Sequence, residues 1–158
     1  MATVLTWSGI TDIVTDIARR VSADGMPNVV IGVLRGGMVP AILLAHAMGV
    51  RTVRAIEVLH TVADGVDAAK SNRPQVSNQA SLGTLTGLDV VVVDDIAGSG
   101  DTIAATVELV AGAGAGRIRS AMCVVNAANW RHPLPPEQAL TYIGATVEGW
   151  VIFPWEKR

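Results

Sequence analysis

Two short segments carry residue types that could do chemistry together. The first is Asp94-Asp95-Ile96-Ala97-Gly98-Ser99-Gly100-Asp101-Thr102. Gly98 and Gly100 let a chain turn tightly and expose its N–H groups. A helix opening at Thr102 adds the positive end of its dipole, and Ser99 and Thr102 add hydroxyls. Such a loop cradles a phosphate without needing net positive charge. The paired carboxylates cannot bind that phosphate, but as acceptors beside it they suit sugar hydroxyls or Mg²⁺. The chemistry that follows is recognition of a ribose 5-phosphate. For an isolated Asp-Asp, a plain βα turn with acidic capping residues is an equal alternative, and the length of the whole string weighs against it. The second segment is Leu34-Arg35-Gly36-Gly37-Met38-Val39-Pro40-Ala41. An Arg beside two Gly offers a guanidinium fork and bare amides to another anion.

The elements around these segments place both at strand ends. Apolar residues at Ile10, Ile13, Val14, Ile17, Ala18 and Val21 have helical spacing, with Ser8 as N-cap and Asp24-Gly25 as the stop. Val29–Leu34 is an apolar, β-branched run, the mark of a strand buried on both faces. Pro40 opens an apolar helix, Ala41–Met48, that Gly49 ends. Val53–Leu59 predicts a second strand, Asp89–Val93 a third, and Ile118–Val125 a fourth. A helix follows Thr102 to about Val110, and Tyr142–Val147 predicts a last strand. Strands alternating with helices predict an α/β fold with a central, mostly parallel sheet. In such sheets ligands bind beyond the carboxyl ends of strands, where both segments lie.

Composition narrows the class. Half of the 158 residues are hydrophobic and 16% are charged, which excludes a disordered chain. The length predicts one domain, residues 1–158. Mean hydropathy is +0.42, yet the longest apolar stretch, Gly36–Val50, is short of a membrane span and contains a His, a Pro and three Gly. A net charge of −2 provides no basic field for nucleic acid. The single cysteine, Cys123, excludes an internal disulfide. There is no signal-like segment before Arg19. The expectation is a cytoplasmic domain that binds neither membrane nor nucleic acid.

The string Val91-Val92-Val93-Asp94-Asp95-Ile96-Ala97-Gly98-Ser99-Gly100-Asp101-Thr102 resembles the signature of type I phosphoribosyltransferases for 5-phosphoribosyl-1-pyrophosphate (PRPP). The resemblance implies Asp94 and Asp95 at the ribose hydroxyls, with Asp95 near Mg²⁺, and Ala97, Gly98, Ser99, Gly100 and Thr102 around the 5′-phosphate. The 34–41 segment is similar to the family's pyrophosphate loop, which implies Arg35 and Gly36 on the pyrophosphate and often a cis peptide before the Arg. The tail Trp150-Val151-Ile152-Phe153-Pro154-Trp155-Glu156, with Thr6-Trp7 near the start, narrows the resemblance to the xanthine-guanine group. It implies a C-terminal base-binding segment, 126–158, in which Trp150 stacks on the base and backbone groups around Val151 read its edge. An indole face suits that task. Trp155 reads instead as a core or interface anchor. The family also implies a homodimer or homotetramer, with helix 41–48 or the tail at the interface.

Residues 60–81 are polar and weakly periodic, and a loop of that length is often functional. It resembles the family's flexible hood loop, closing over PRPP to exclude water. Lys70 or Arg73 is the candidate to reach the pyrophosphate. The sequence does not choose between them, and either alone reads as a solvated charge.

Two positions depart from the 6-oxopurine pattern. Where that group has an Asp that contacts purine N7, this chain has Gly98, so a general-base candidate is missing. Where it has a Lys that donates to the 6-oxo group, this chain has Asn126, which donates and accepts. Asn126 serves equally as a cap at the strand end. Together they weigh against guanine, xanthine and hypoxanthine as preferred substrates, and fit a modified or deaza-purine without a usable N7.

The resemblance thus implies a Mg²⁺-dependent transferase that joins PRPP to a purine-like base, releases pyrophosphate and forms a nucleoside 5′-monophosphate. The alternative is a non-catalytic regulatory protein of the same fold, kept open by Gly98. A phosphoacceptor domain built on Asp94 needs a late Lys, and Lys157 lies beyond the last element. His46, His60 and His132 have no metal-ligand spacing with Cys123, and Gly112–Gly116 reads as a helix end.

Overall fold

The computed structural model describes residues 1–59 and 74–156. Lys70, Arg73 and most of the expected hood segment lie outside them. A six-stranded sheet has the order β4-β3-β2-β5-β6-β7. Its strands are β2 (Val29–Leu34), β3 (Val53–Leu59), β4 (Gln75–Val76), β5 (Asp89–Ala97), β6 (Arg117–Asn126) and β7 (Tyr142–Val147). All neighbours pair parallel except β4, which runs antiparallel to β3. The α/β expectation holds, and β2, β3 and β7 have the predicted bounds.

The sheet divides the core by strand alternation. Val30, Val91, Val93, Ala121 and Cys123 face α1 (Trp7–Asp24) and α2 (Met38–Met48). Val29, Ile31, Val90, Val92 and Met122 face α3 (Asp101–Gly112). Helix α1 buries Ile10, Val14, Ile17, Ala18 and Val21, the stripe its spacing predicts. Its cap is Thr6 rather than Ser8. Thr6 is extended, and its Oγ1 accepts the Gly9 N–H at 3.0 Å. Helix α2 starts at Met38, ahead of the expected Ala41. Pro40 sits in its first turn, where a missing N–H leaves no bond unmade.

Other elements carry no periodic signal. The end of the expected 60–81 loop is ordered, as β4 and a 3₁₀ turn at Gln79–Leu82 whose Leu82 is buried. Between β6 and β7 lies a short helix, α4 (Pro136–Ala139). Two-residue strands β1 (Thr3–Val4) and β8 (Val151–Ile152) pair parallel and return the tail to the N-terminus.

At the sheet end opposite the candidate site, Arg119 is 3% exposed. Its Nη2 reaches Asp89 at 2.8 Å and donates to Gly25 O at 2.7 Å. Its Nη1 donates to Val21 O and to the Tyr142 hydroxyl, each at 3.2 Å. Tyr142 in turn donates to Asp24 at 2.7 Å. One guanidinium therefore ties the end of α1 to three strands. Among the described residues, no helix is long and apolar enough to cross a membrane.

Candidate active site

Strands β2 and β5 are parallel neighbours, with Gly32 opposite Val93. Their carboxyl ends therefore deliver the Arg35 loop and the Asp94–Thr102 string side by side. The Leu34–Arg35 peptide is cis, as the family resemblance implied. Strand β5 runs on to Ala97, because β6 continues to pair with it through Ile96–Val124 and Ala97–Val125. Asp94 and Asp95 thus stand on the strand itself, within its last four residues, and not in the loop after Val93.

The two loops interlock. A Cβ on Gly36 would collide with the Asp95 carboxylate. A Cβ on Gly37 would stand 2.8 Å from Asp94 Oδ1 and 2.6 Å from Val33 O. Only bare backbone admits the carboxylates at this distance.

Asp94 is buried, and its Oδ1 accepts the Asp95 N–H at 2.9 Å. Burial pushes its carboxyl well above the usual range, and the Asp95 charge adds to the rise. Burial raises Asp95 as well; the Ile96 N–H that it accepts at 2.8 Å opposes the rise, and Glu156 adds to it. Behind them the Cys123 thiol is pushed up to about 12, first by burial and then by both carboxylates. Cys123 is accordingly an inert strand residue.

Arg35, Gly36, Val39, Asp95, Trp155 and Glu156 line a cleft of about 700 Å³. Beside it, Asp94, Ala97, Gly98, Ser99, Gly100 and Thr102 line a second of about 240 Å³. The expected pyrophosphate, ribose and 5′-phosphate residues are thereby brought into adjacent clefts. A Cβ on Gly98 would meet nothing within 4 Å. Gly100 has φ +91° and precedes α3. The Ser99 hydroxyl donates to Asp101 Oδ2 at 2.9 Å, a partner not expected from sequence.

On the base side, Trp150 is 71% exposed. Thr3 N–H donates to Trp150 O at 2.8 Å and Leu5 N–H to Ile152 O at 2.9 Å. In this parallel register the Val151 amide and carbonyl point away from β1. Asn126 does not offer the open donor-and-acceptor edge expected of it. Its Oδ1 accepts the Ala128 and Gly149 N–H groups, both at 3.2 Å, and its Nδ2 donates to Gly149 O at 2.8 Å. Both acceptor positions are taken, so the capping alternative is the one observed.

Sequence reasoning missed Glu156 and Trp155 as cleft residues. Trp155 stacks on Phe153 at 4.8 Å and meets Trp7 at 5.8 Å, so it anchors the core as expected and walls the Arg35 cleft as well. It also missed Trp130, which packs against Gly100. The available signal was an aromatic residue in a segment with no apolar period.

A mostly parallel α/β sheet whose adjacent strand ends present an Arg-Gly-Gly loop, buried carboxylates and a glycine-rich helix entry has its clefts where such folds bind ligands. The chain belongs to the phosphoribosyl transferase domain family, whose match covers residues 2–156. It is 29% identical over 136 residues to a xanthine-guanine phosphoribosyltransferase of Ruegeria sp. (strain TM1040), covering 84% of this chain and 70% of that protein. It is similar to the crystal structure of a purine phosphoribosyltransferase from Pyrococcus horikoshii Ot3, at 27% identity and TM-score 0.82, covering 99% of this chain and 95% of that one. A hypoxanthine phosphoribosyltransferase from Staphylococcus aureus shares the fold at 18% identity and TM-score 0.75, covering 91% and 76%.

Proposed function

We propose that the chain transfers the 5-phosphoribosyl group of PRPP to a ring nitrogen of a purine or purine-like base. The bond from ribose C1 to the pyrophosphate oxygen breaks and pyrophosphate leaves with the bonding pair, a C1–N bond forms, the ring nitrogen gives up its proton to the departing pyrophosphate or to water, and a nucleoside 5′-monophosphate results. The observation that carries this reading is the interlock of Asp94 and Asp95 with Gly37 and Gly36. It sets ribose acceptors directly between an arginine loop and a phosphate cradle. The purine relatives from Ruegeria and Pyrococcus support the class of base.

In this reading Arg35 and the Gly36 amide hold the pyrophosphate. Asp94 and Asp95 accept from the ribose hydroxyls, and Ala97, Gly98, Ser99, Gly100 and Thr102 surround the 5′-phosphate. Trp150 stacks the base, and the outward-facing Val151 backbone reads its edge. The barrier falls chiefly through holding the leaving group and the base in line. Mg²⁺ fits the site, because it is held by one or two carboxylates together with substrate phosphates rather than by a protein cage. Asp95, with Glu156 adding negative charge beside it, is the place for it. When bound, it would offset charge on the departing pyrophosphate. Lys70 or Arg73 would reach that group from the hood.

The base we favour is a modified or deaza-purine. Gly98 leaves open space and no carboxylate where an N7 partner would stand. The exposed apolar face of α2, including Ile42 and Leu43, suits a homodimer or homotetramer of a single-domain cytoplasmic protein. Steady-state rates on a panel of bases test the base assignment. A preference for a purine that lacks N7 is expected, and a clear preference for plain guanine would overturn it.

A further inference from the structure

Asn126 closes β6, and Gly149 precedes Trp150. The Asn126 side chain holds Gly149 at both its amide and its carbonyl. Gly149 has φ +112°, a conformation that side chains rarely adopt. The turn that aims Trp150 is thus pinned from β6. The same side chain also caps the 3₁₀ turn Ala127–Asn129 through Ala128.

Just past that turn, Trp130 lies against the phosphate loop. A Cβ on Gly100 would stand 3.1 Å from the benzo edge of its indole. The ring is fixed by its Nε1–H, which donates to Leu134 O at 2.8 Å. The Arg131 N–H donates to Ser99 O at 3.2 Å. Residues 126–131 therefore touch the base turn at one end and the phosphate loop at the other. The sheet itself does not reach this far. Its last pairs here are Ala97–Val125 and Asn126–Val147.

We infer that residues 126–131 form a bracket that sets the span between the Trp150 platform and the Ser99–Gly100 cradle. Asn126 is its positioning residue on the base side, and Trp130 its positioning residue on the phosphate side. The inference rests on the proposed reading of Trp150 and of 97–102. Its physical reason is that the two substrates meet at ribose C1, with reacting atoms about 3–3.5 Å apart. One is anchored through its 5′-phosphate and the other through its ring face. An error in the span between anchors becomes an error at the bond that forms.

Three probes separate the parts. Ribose 5-phosphate reads the cradle and the ribose carboxylates without the platform, and 7-deazaguanosine 5′-monophosphate adds the platform. Fluorine NMR of the 5-fluorotryptophan-labelled protein reads each of the four tryptophans, assigned by single Trp→Phe variants. In Asn126→Ala, the Trp150 line should move while those of Trp7 and Trp155 stay. Monophosphate affinity should fall about tenfold, the worth of lost buried hydrogen bonds, with ribose 5-phosphate affinity unchanged. Asn126→Ser, whose hydroxyl still caps Ala128 but cannot reach Gly149, should do the same with less cost to folding. Trp130→Ala should weaken both ligands, and Trp130→Phe, which keeps a ring edge on Gly100, should restore most of the loss. An unmoved Trp150 line with unchanged monophosphate affinity in the two Asn126 variants would overturn the base-side pin. Unchanged ribose 5-phosphate affinity in Trp130→Ala would overturn the other. Failure of the underlying reading looks different: Trp150→Ala would leave monophosphate affinity intact, or the unaltered protein would not bind ribose 5-phosphate.

Discussion

The Asp95 carboxylate occupies the space that a side chain on Gly36 would need. One residue comes from the loop after β2, the other from β5. Their contact joins the proposed pyrophosphate site to the proposed ribose site with nothing between them.

Gly36→Ala should therefore displace Asp95 while leaving the sheet intact. We expect kcat/KM to fall by about 100-fold, the cost of moving a positioned group by an ångström. Secondary structure by circular dichroism should be unchanged. Steady-state kinetics of the variant check this, and near-normal turnover would contradict the proposed role of Asp95.

Asp94→Asn should stabilise the ligand-free protein and abolish transfer. Burial raises the Asp94 carboxyl, so the folded state holds its proton more tightly than the unfolded chain. The sign follows: stability is lost as pH rises from the ordinary carboxylate range through the raised value. The Asn side chain keeps the acceptor for the Asp95 N–H and carries no charge. Its advantage in Tm should be small at low pH and grow toward neutral pH, at about 2–4 °C per kcal/mol relieved. Thermal melts across pH check it.

Arg119→Ala should cost about 3–5 kcal/mol, because it leaves Asp89 and three backbone or hydroxyl acceptors without their buried partner. The network lies at the opposite end of the strands from the clefts. Urea unfolding should show the loss, and KM for PRPP should stay constant.

Gly98→Asp should fold normally, since a Cβ there meets nothing within 4 Å. A stability change within about 0.5 kcal/mol is expected. The new carboxyl group can pair with a base N7, accepting from an N7–H tautomer or, when protonated, donating to bare N7, so relative rates on guanine or hypoxanthine should rise. An unaltered base preference would show that Gly98 does not select the base.

The bounds of β2 were legible because a continuous apolar, β-branched run has a single solution in a doubly covered sheet; β3 was legible from Val53, Ile56 and Val58, although only Ile56 is fully buried. Helix α1 was legible from its stripe. The strands β1, β4 and β8 were not, since two residues have no period and exist only through their partners. Strand β5 outran its apolar run because pairing with β6, not propensity, carries Asp94–Ala97. In the site, Arg35, Asp94 and Asp95 could be placed together because topology sets adjacent strand ends side by side. Glu156 and Trp155 could not, because they enter only after β8 pairs with β1. Nor could the task of Asn126, whose partner Gly149 lies 23 residues further along.

The central claim is transfer from PRPP to a base, and pyrophosphate release measures it most directly. The protein would be given PRPP and Mg²⁺ with guanine, xanthine, hypoxanthine, adenine, or deaza- and otherwise modified purines. Release that depends on at least one base, and that is lost in Asp94→Asn, is the expected result. Binding of PRPP with no release for any base would contradict it and leave a nucleotide-binding regulator of the same fold.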